Sequence, residues 1–219
     1  MPEQVFRELV GAVLEGRYAP GERLPPQRAL AADLGVTMGS LREGIKRLEQ
    51  LRLVEVRHGD AMRVRDWRAA GGLDVLAYAA TADAGITGAL FEARRLLLSE
   101  AARLAAQRRR ADHERALADL AAAFAAAPDD ATAQMADLAF MQTVIEAAGN
   151  LVFSLIINSI RELYLQHLEW FRPIVADRAA LAPLYRRAAR AIAAGEPGRA
   201  AAAIERLAAR QEQRMVDEA

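Results

Sequence analysis

Leu24-Pro25-Pro26-Gln27-Arg28-Ala29-Leu30, then Gly35-Val36-Thr37, Leu41-Arg42-Glu43 and Leu48, closed by Leu53-Val54-Glu55-Val56-Arg57 and the pair His58-Gly59, is the stretch that decides the fold. Two prolines stop the incoming chain and preset φ for a helix beginning near Gln27, whose Ala31 and Leu34 can face inward. Gly35 supplies a permissive turn, and Thr37 can cap the next helix. On that second helix Leu41, Ile45 and Leu48 form a buried stripe at helical spacing, while the opposite face carries Arg42 and Lys46. After Leu51 the period becomes alternating, so that 53–57 and 62–64 read as two strands joined by a tight turn at His58-Gly59-Asp60. Helix, turn, helix and hairpin in this order make a winged helix-turn-helix, which places one basic helix in a DNA groove.

The expected DNA contacts follow from that reading. Free N–H groups and the dipole at a helix start favour phosphate, so Thr37, Gly39 and Ser40 are placed against the backbone or base edges. Arg42 is the first choice for a base or phosphate contact, with Arg28 and Lys46 beside it. At the wing tip Gly59 lets the backbone approach a minor groove, and the ring of His58 can donate there. A solvated turn histidine is the alternative for His58.

Composition bounds the remaining possibilities. With 219 residues, 53% hydrophobic and 26% charged, the chain has ordinary globular composition and exceeds one average domain. It has no cysteine, which removes disulfides, thiolate metal sites and a cysteine nucleophile, and agrees with a cytoplasmic protein. Its apolar stretches, Leu151 to Ile157 among them, are far too short to span a bilayer, so no membrane association is expected, and no signal peptide is legible. Net charge is zero, with +2 on residues 1–68 and −2 on the remainder. Such weak steering means that DNA affinity rests on clustered charges and on a doubled footprint.

The strand pattern ends near Asp66-Trp67, and Gly71-Gly72 reads as a hinge. The sequence therefore divides into a winged helix-turn-helix over 1–68 (three helices and a two-stranded wing), a linker over 69–74 and a helical domain over 75–219. Candidate helices run over 73–83, 87–109, 112–127, 131–147, 151–171, 179–194 and 198–216, broken by Gly85, Asp129-Asp130, Gly149-Asn150, Pro173 and Gly195-Glu196-Pro197. The fold class is mainly α. No strand candidate follows the wing.

At Arg28, Arg42 and Gly59 the chain resembles the GntR family of bacterial transcription regulators, whose N-terminal domain carries P-x-E-R-x-L, then V-R-E, and a wing with a glycine tip. Gln27 and Met38 depart from the pattern: the family usually has glutamate and a guanine-reading arginine there. A thioether makes no bidentate contact to guanine, so the operator is expected to differ or to depend more on Arg28, Arg42 and His58. The seven-helix arrangement resembles the FadR branch, through Glu92-Ala93-Arg94, Asp137-Leu138-Ala139-Phe140, Ala148-Gly149-Asn150 and Ala191-Ile192-Ala193-Ala194-Gly195. That resemblance covers nearly the whole chain. It implies a homodimer on a palindromic DNA operator, with a small-molecule effector in the bundle.

Most members with such a bundle hold a metal through an aspartate and three histidines. This chain keeps Asp137 but has Met141, Tyr185 and Leu207 at the corresponding places, so no metal is expected. No cofactor is implied. The less polar pocket suits an apolar effector, and Tyr185, Asp137 and Gly149-Asn150 resemble the fatty-acid-regulating members; long-chain acyl-CoA, with control of fatty-acid metabolism genes as a repressor, is the expectation. A metal-free organic-acid sensor is the alternative, and a helical scaffold without effector a more distant one. The expected effector residues are Arg94, Asp137, Phe140, Met141, Tyr164 and Tyr185, each also readable as core or as an ion pair. Phe153 and Ile157 are further candidates for an acyl tunnel, and Arg108-Arg109-Arg110 reads either as a phosphate contact or as a solvated helix end. An enzyme is not expected, because His113 and His167 belong to no catalytic constellation and no phosphate-cradling glycine loop is present.

Overall fold

The computed structural model describes residues 2–56, 62–76, 78–79 and 84–217. The chain forms two compact units, Met1–Ala84 and Gly85–Ala219.

In the first unit, α1 (Pro2–Leu14) buries Val5, Phe6, Leu9, Val10 and Val13. Helix α2 (Gln27–Asp33) starts directly after Pro26, and Gly35 at φ +62° turns the chain into α3 (Met38–Gln50). The Thr37 hydroxyl oxygen caps α3 by accepting from the Ser40 N–H at 3.2 Å. Leu41, Gly44, Ile45 and Leu48 face the core. Gly44 is small because α1 crosses there: a Cβ would stand 2.9 Å from Val5 Cγ1 and 3.4 Å from the Phe6 backbone nitrogen. After α3, Arg52 adopts φ +60°, the left-handed value that lets the Leu53 N–H return to the Leu48 carbonyl.

The wing pairs β1 (Val54–Glu55) with β2 (Arg63–Val64) antiparallel, Val54 opposite Val64. On the other side of β2 lies a segment that the sequence reading did not treat as extended. Gly21 donates to the Val64 carbonyl, Val64 to Glu22 and Leu24 to Met62, so residues 21–24 add a third rung of backbone pairing. Leu24 thus enters the core from the sheet side before the prolines start α2. Arg57, the last residue of the expected first strand, and the expected turn residues His58, Gly59 and Asp60 lie outside the described residues. Asp66 then caps a short α4 (Trp67–Ala70), and a 3-10 turn follows at Leu73–Val75. Val75 and Ala79 are buried, and Tyr78 meets the Phe6 ring edge-on at 5.2 Å. The described part of the expected helix 73–83 therefore lies in the first unit, which ends at Ala84.

Among the described residues the second unit is built of helices with no strand: α5 (Ala84–Arg108), α6 (Ala111–Ala126), α7 (Asp130–Ala148), α8 (Leu151–Gln166), α9 (Arg178–Ala193) and α10 (Pro197–Asp217). These match six of the expected helices. Gly149 at φ +61° ends α7, and the Asn150 side chain caps α8 by accepting from the Val152 N–H at 3.0 Å. Ala101, Ala102 and Ala105 of α5, Ala121 of α6, Ala188 of α9 and Ala200 and Ala203 of α10 are buried, so small side chains let the helices approach closely.

One helix is shorter than its apolar pattern implies. The expected 151–171 stops at Gln166, and a 3-10 turn occupies Arg172–Val175. Buried Gln134 on α7 donates from its side-chain amide to the Leu168 carbonyl at 2.7 Å, diverting the backbone. Phe171 then turns inward against Tyr164 and Phe91, and Pro173 withholds an N–H from any continuation.

Candidate DNA-reading face and buried effector site

The exposed side of α3 is built by exclusion: once its apolar stripe meets α1, Arg42 and Lys46 face solvent. Arg28, Thr37 and Gly39 are also exposed and Ser40 half-buried, with Thr37 and Ser40 at the α3 start. Arg28, Arg42 and Lys46 make no ion pair or hydrogen bond among the described residues. Arg47, on the same helix, differs: its guanidinium donates to Glu3 on α1 and lies 3.8 Å from the centre of the Phe6 ring. That contact holds the Glu3 carboxyl below the usual carboxylate range. Arg47 is thus a fastening between helices, whereas Arg42 is free to reach a ligand. His58 and Gly59 lie outside the described residues.

In the second unit a polar cluster sits inside an apolar bundle. Asp137 on α7 is 2% exposed. Its Oδ1 accepts from the Tyr185 hydroxyl of α9 at 2.5 Å and from the Gln211 amide of α10 at 3.0 Å. Its Oδ2 faces Arg94 Nη2 of α5 at 3.6 Å, and Arg94 Nη1 also donates to Gln211 Oε1 at 2.8 Å. The Gln211 amide further lies 3.1 Å from the Tyr185 oxygen. One carboxylate, one guanidinium, one amide and one phenol, from four helices, thereby satisfy one another, as buried polar groups must. The positive charge that compensates Asp137 is a guanidinium.

Burial, first, and the Asp137 carboxylate, second, push the phenols of Tyr164 and Tyr185 above the usual tyrosine range, so both remain protonated donors. The Tyr185 ring is stacked on Phe124 at 4.1 Å and met edge-on by Phe140 at 5.0 Å, which fixes its hydroxyl toward Asp137. Tyr164 reaches the Gln134 carbonyl at 3.5 Å.

Beside this cluster is a cavity of about 50 Å³, lined by the polar residues Arg94, Asp137, Gln142, Arg161 and Tyr164 and by apolar residues that include Leu98, Met141 and Ile157. Of the expected effector residues, Arg94, Asp137, Met141 and Tyr164 line the cavity, and Tyr185 joins them through Asp137. Phe140 is fully buried and supports the Tyr185 ring without lining the cavity, and Phe153 is not among the lining residues. Gln211, which the resemblance marks, with Met215, only as a departure in the ligand region of the fatty-acid-regulating members, joins the cluster from the α10 face that carries Leu207, Ala208 and Met215. Leu207 itself is core. Among the described residues no three His, Asp or Glu side chains converge as a metal site.

The arginine run after α5 has structural partners. Arg108 donates to the Ala148 carbonyl at 2.7 Å, Arg109 to those of Ala106 and Ala193 and to Glu114, and Arg110 pairs with Asp112. His113 accepts from the Arg110 N–H at 3.2 Å and so helps start α6.

Comparison with known proteins supports the two-part reading. Residues 2–64 match the model described as bacterial regulatory proteins, gntR family, and residues 89–210 match the FCD domain. The HTH-type transcriptional regulator Mce2R of Mycobacterium tuberculosis is 35% identical over 201 residues, 90% of this chain and 84% of that protein. A fatty acid metabolism regulator protein of Edwardsiella ictaluri is 29% identical over 161 residues, 71% of this chain and 66% of that protein. Among solved structures, the regulator described as Lar, which controls the agr system of Listeria monocytogenes, aligns with TM-score 0.63 at 18% identity, covering 99% of this chain and 97% of its own. A GntR protein of Streptococcus agalactiae aligns with TM-score 0.53 at 24% identity, covering 97% and 99%. These last two likenesses concern the fold.

Proposed function

We propose that this chain, which belongs to the GntR family of bacterial regulatory proteins and is a DNA-binding transcription regulator with an FCD domain rather than an enzyme, is switched by a fatty acyl effector, long-chain acyl-CoA. The observation that carries the effector reading is the cavity beside Arg94, whose lining combines polar groups, Arg94, Asp137, Gln142, Arg161 and Tyr164, with apolar ones. A thioester carbonyl would meet the Arg94 guanidinium and the Tyr164 hydroxyl, and the acyl chain would run along Leu98, Met141 and Ile157. The likeness to fatty acid metabolism regulators points the same way.

At about 50 Å³ the cavity is smaller than the roughly 300–1,000 Å³ of a typical small-molecule site, so acyl entry requires a wall to move. Helix α8 is that wall. It supplies Ile157, Ile160 and Tyr164 to the cavity, yet only Leu163 and Tyr164 along it are fully buried. A helix held by so few core residues is displaced at low energy. The volume also favours a second reading, a short organic acid whose carboxylate takes over Arg94 from Asp137 without metal.

In the cell the protein acts as a cytoplasmic homodimer on a palindromic operator, lowering transcription until the effector arrives. No helix among the described residues is long and apolar enough to cross a membrane. DNA contacts come from Arg28, Thr37, Gly39, Ser40, Arg42 and Lys46, with His58 and Gly59, which lie outside the described residues, as the further expected contacts. Two reading helices at fixed spacing add their contacts in one binding event.

Calorimetry across C8 to C18 acyl-CoAs, paired with operator binding, tests the switch. Affinity is expected to rise by about 0.8 kcal/mol per methylene until the tunnel is full. A tenfold loss of operator affinity then requires a preference of about 1.4 kcal/mol for the weak-binding state. Tight binding of short dicarboxylates with none of acyl-CoA would replace the acyl reading with the second one.

A further inference from the structure

The hairpin of α9 and α10 encloses a surface groove of about 800 Å³ in which Arg186, Arg187 and Arg190 of α9 face Arg199 and Arg206 of α10. Gly195, at φ +68°, makes the turn that sets the two helices side by side. Three arginines within five residues of α9 and two arginines two turns apart on α10 bring their guanidinia to one concavity. Ala191 and Ala194 give that concavity a lining of small residues.

The groove is electrostatically unlike the rest of these helices. Arg178 pairs with Asp130, and Arg210 and Arg214 both pair with Asp177 at 3.2 Å. In the groove only Arg199 has a carboxylate, Glu196 at 2.8 Å. Arg186, Arg187, Arg190 and Arg206 have none among the described residues. Like charges held in one concavity repel, and this chain, which has as many acidic as basic residues, leaves them uncompensated here.

We propose that this groove binds a phosphate-rich small molecule, either an inorganic oligophosphate or a nucleoside polyphosphate. Guanidinium forks match phosphate oxygens in pairs of parallel N–H bonds, and four unpaired forks call for more than one phosphate. The volume lies within the range of small-molecule sites, and the concave shape suits a ligand that sits between two helices better than a duplex that lies across them. The groove is separate from the Arg94 cavity, since no residue lines both.

Calorimetry with inorganic triphosphate and with ATP, at physiological and at raised salt, tests the proposal on the full chain. One ligand per chain is expected, weakening as salt rises. Arg186→Gln with Arg190→Gln is expected to weaken binding about tenfold or more, as loss of charge-assisted contacts does, while Arg115→Gln, an exposed arginine of α6, leaves it unchanged. Equal affinity for the two probes assigns the site to oligophosphate, and tighter ATP binding assigns it to the nucleotide. Absence of binding by either, or binding insensitive to the double substitution, would overturn the proposal. So would a non-operator duplex that displaces both probes and shares their dependence on Arg186 and Arg190, since the groove would then be a DNA-backbone contact.

Discussion

Replacing Arg94 with Met removes the one cation that, among the described residues, pairs with a carboxylate that is 2% exposed. At 3.6 Å and an effective dielectric constant of roughly 20, the pair attracts by about 4–5 kcal/mol before desolvation is charged against it. Met keeps much of the stem volume but leaves Asp137 without a counter-charge and Gln211 Oε1 without its donor. Stranding one partner of a buried pair costs about 3–5 kcal/mol, so Arg94→Met is expected to destabilise the second unit by about that much. The chain has two tryptophans, Trp67 in the first unit and Trp170 in the second. Urea unfolding followed by Trp170 fluorescence in a Trp67→Phe background therefore reports the bundle alone. Adding Asp137→Asn should recover most of the loss, because an amide needs no counter-charge. A deficit below about 1 kcal/mol, or no recovery in the double variant, would refute the account of the cluster as a charge pair.

Arg42→Ala is expected to weaken operator binding in gel shifts by about 1–3 kcal/mol with stability unchanged, whereas Arg47→Ala lowers the thermal midpoint by releasing α3 from α1. Gly44→Ala sets an overpacking cost of about 1–3 kcal/mol against a helix-propensity gain of about 1, so a small net loss is expected in thermal unfolding, and Gly44→Val should be worse. For Tyr164 and Tyr185 the folded pKa is raised, so their contribution is fully present below the unfolded value of about 10 and is lost as pH climbs through the folded one. Ultraviolet titration should show both phenols ionising only as the bundle unfolds in alkali. With a phenol, an amide and a thioether around Asp137, zinc and nickel should leave no stoichiometric metal after dialysis, and operator affinity should be indifferent to them.

The reading unit was legible in sequence because its signals are local. Pro25-Pro26, Gly35 and Thr37 fix where α2 and α3 begin, and the structure shows Thr37 capping as its residue type implies. Arg52 was not legible, since nothing in its side chain announces a left-handed backbone; the turn is imposed by Leu53 entering the core. The pairing of 21–24 with β2 was equally hidden, because Gly21-Glu22-Arg23 carries no strand pattern. In the bundle, Arg94 stood out as a polar group on an apolar helix, and Asp137 and Tyr185 through the family resemblance. Gln211 was noticed only as a departure from the fatty-acid-regulating members, and its bonding role was hidden because it depends on three partners 26 to 117 residues away. The early end of α8 had the same origin: Gln134, on another helix, takes the Leu168 carbonyl.

Lys46, on the open side of α3, is the only lysine in the 219 residues. Apart from the terminal α-amine, every amine-directed reagent, whether an acylating label, a cross-linker or an acetyltransferase, therefore has one side chain to modify, on the helix assigned to DNA. Acylation there erases a positive charge without touching the arginines that fasten the fold. The mass of a single proteolytic fragment then becomes a gauge of operator occupancy, read from the protein without a labelled oligonucleotide.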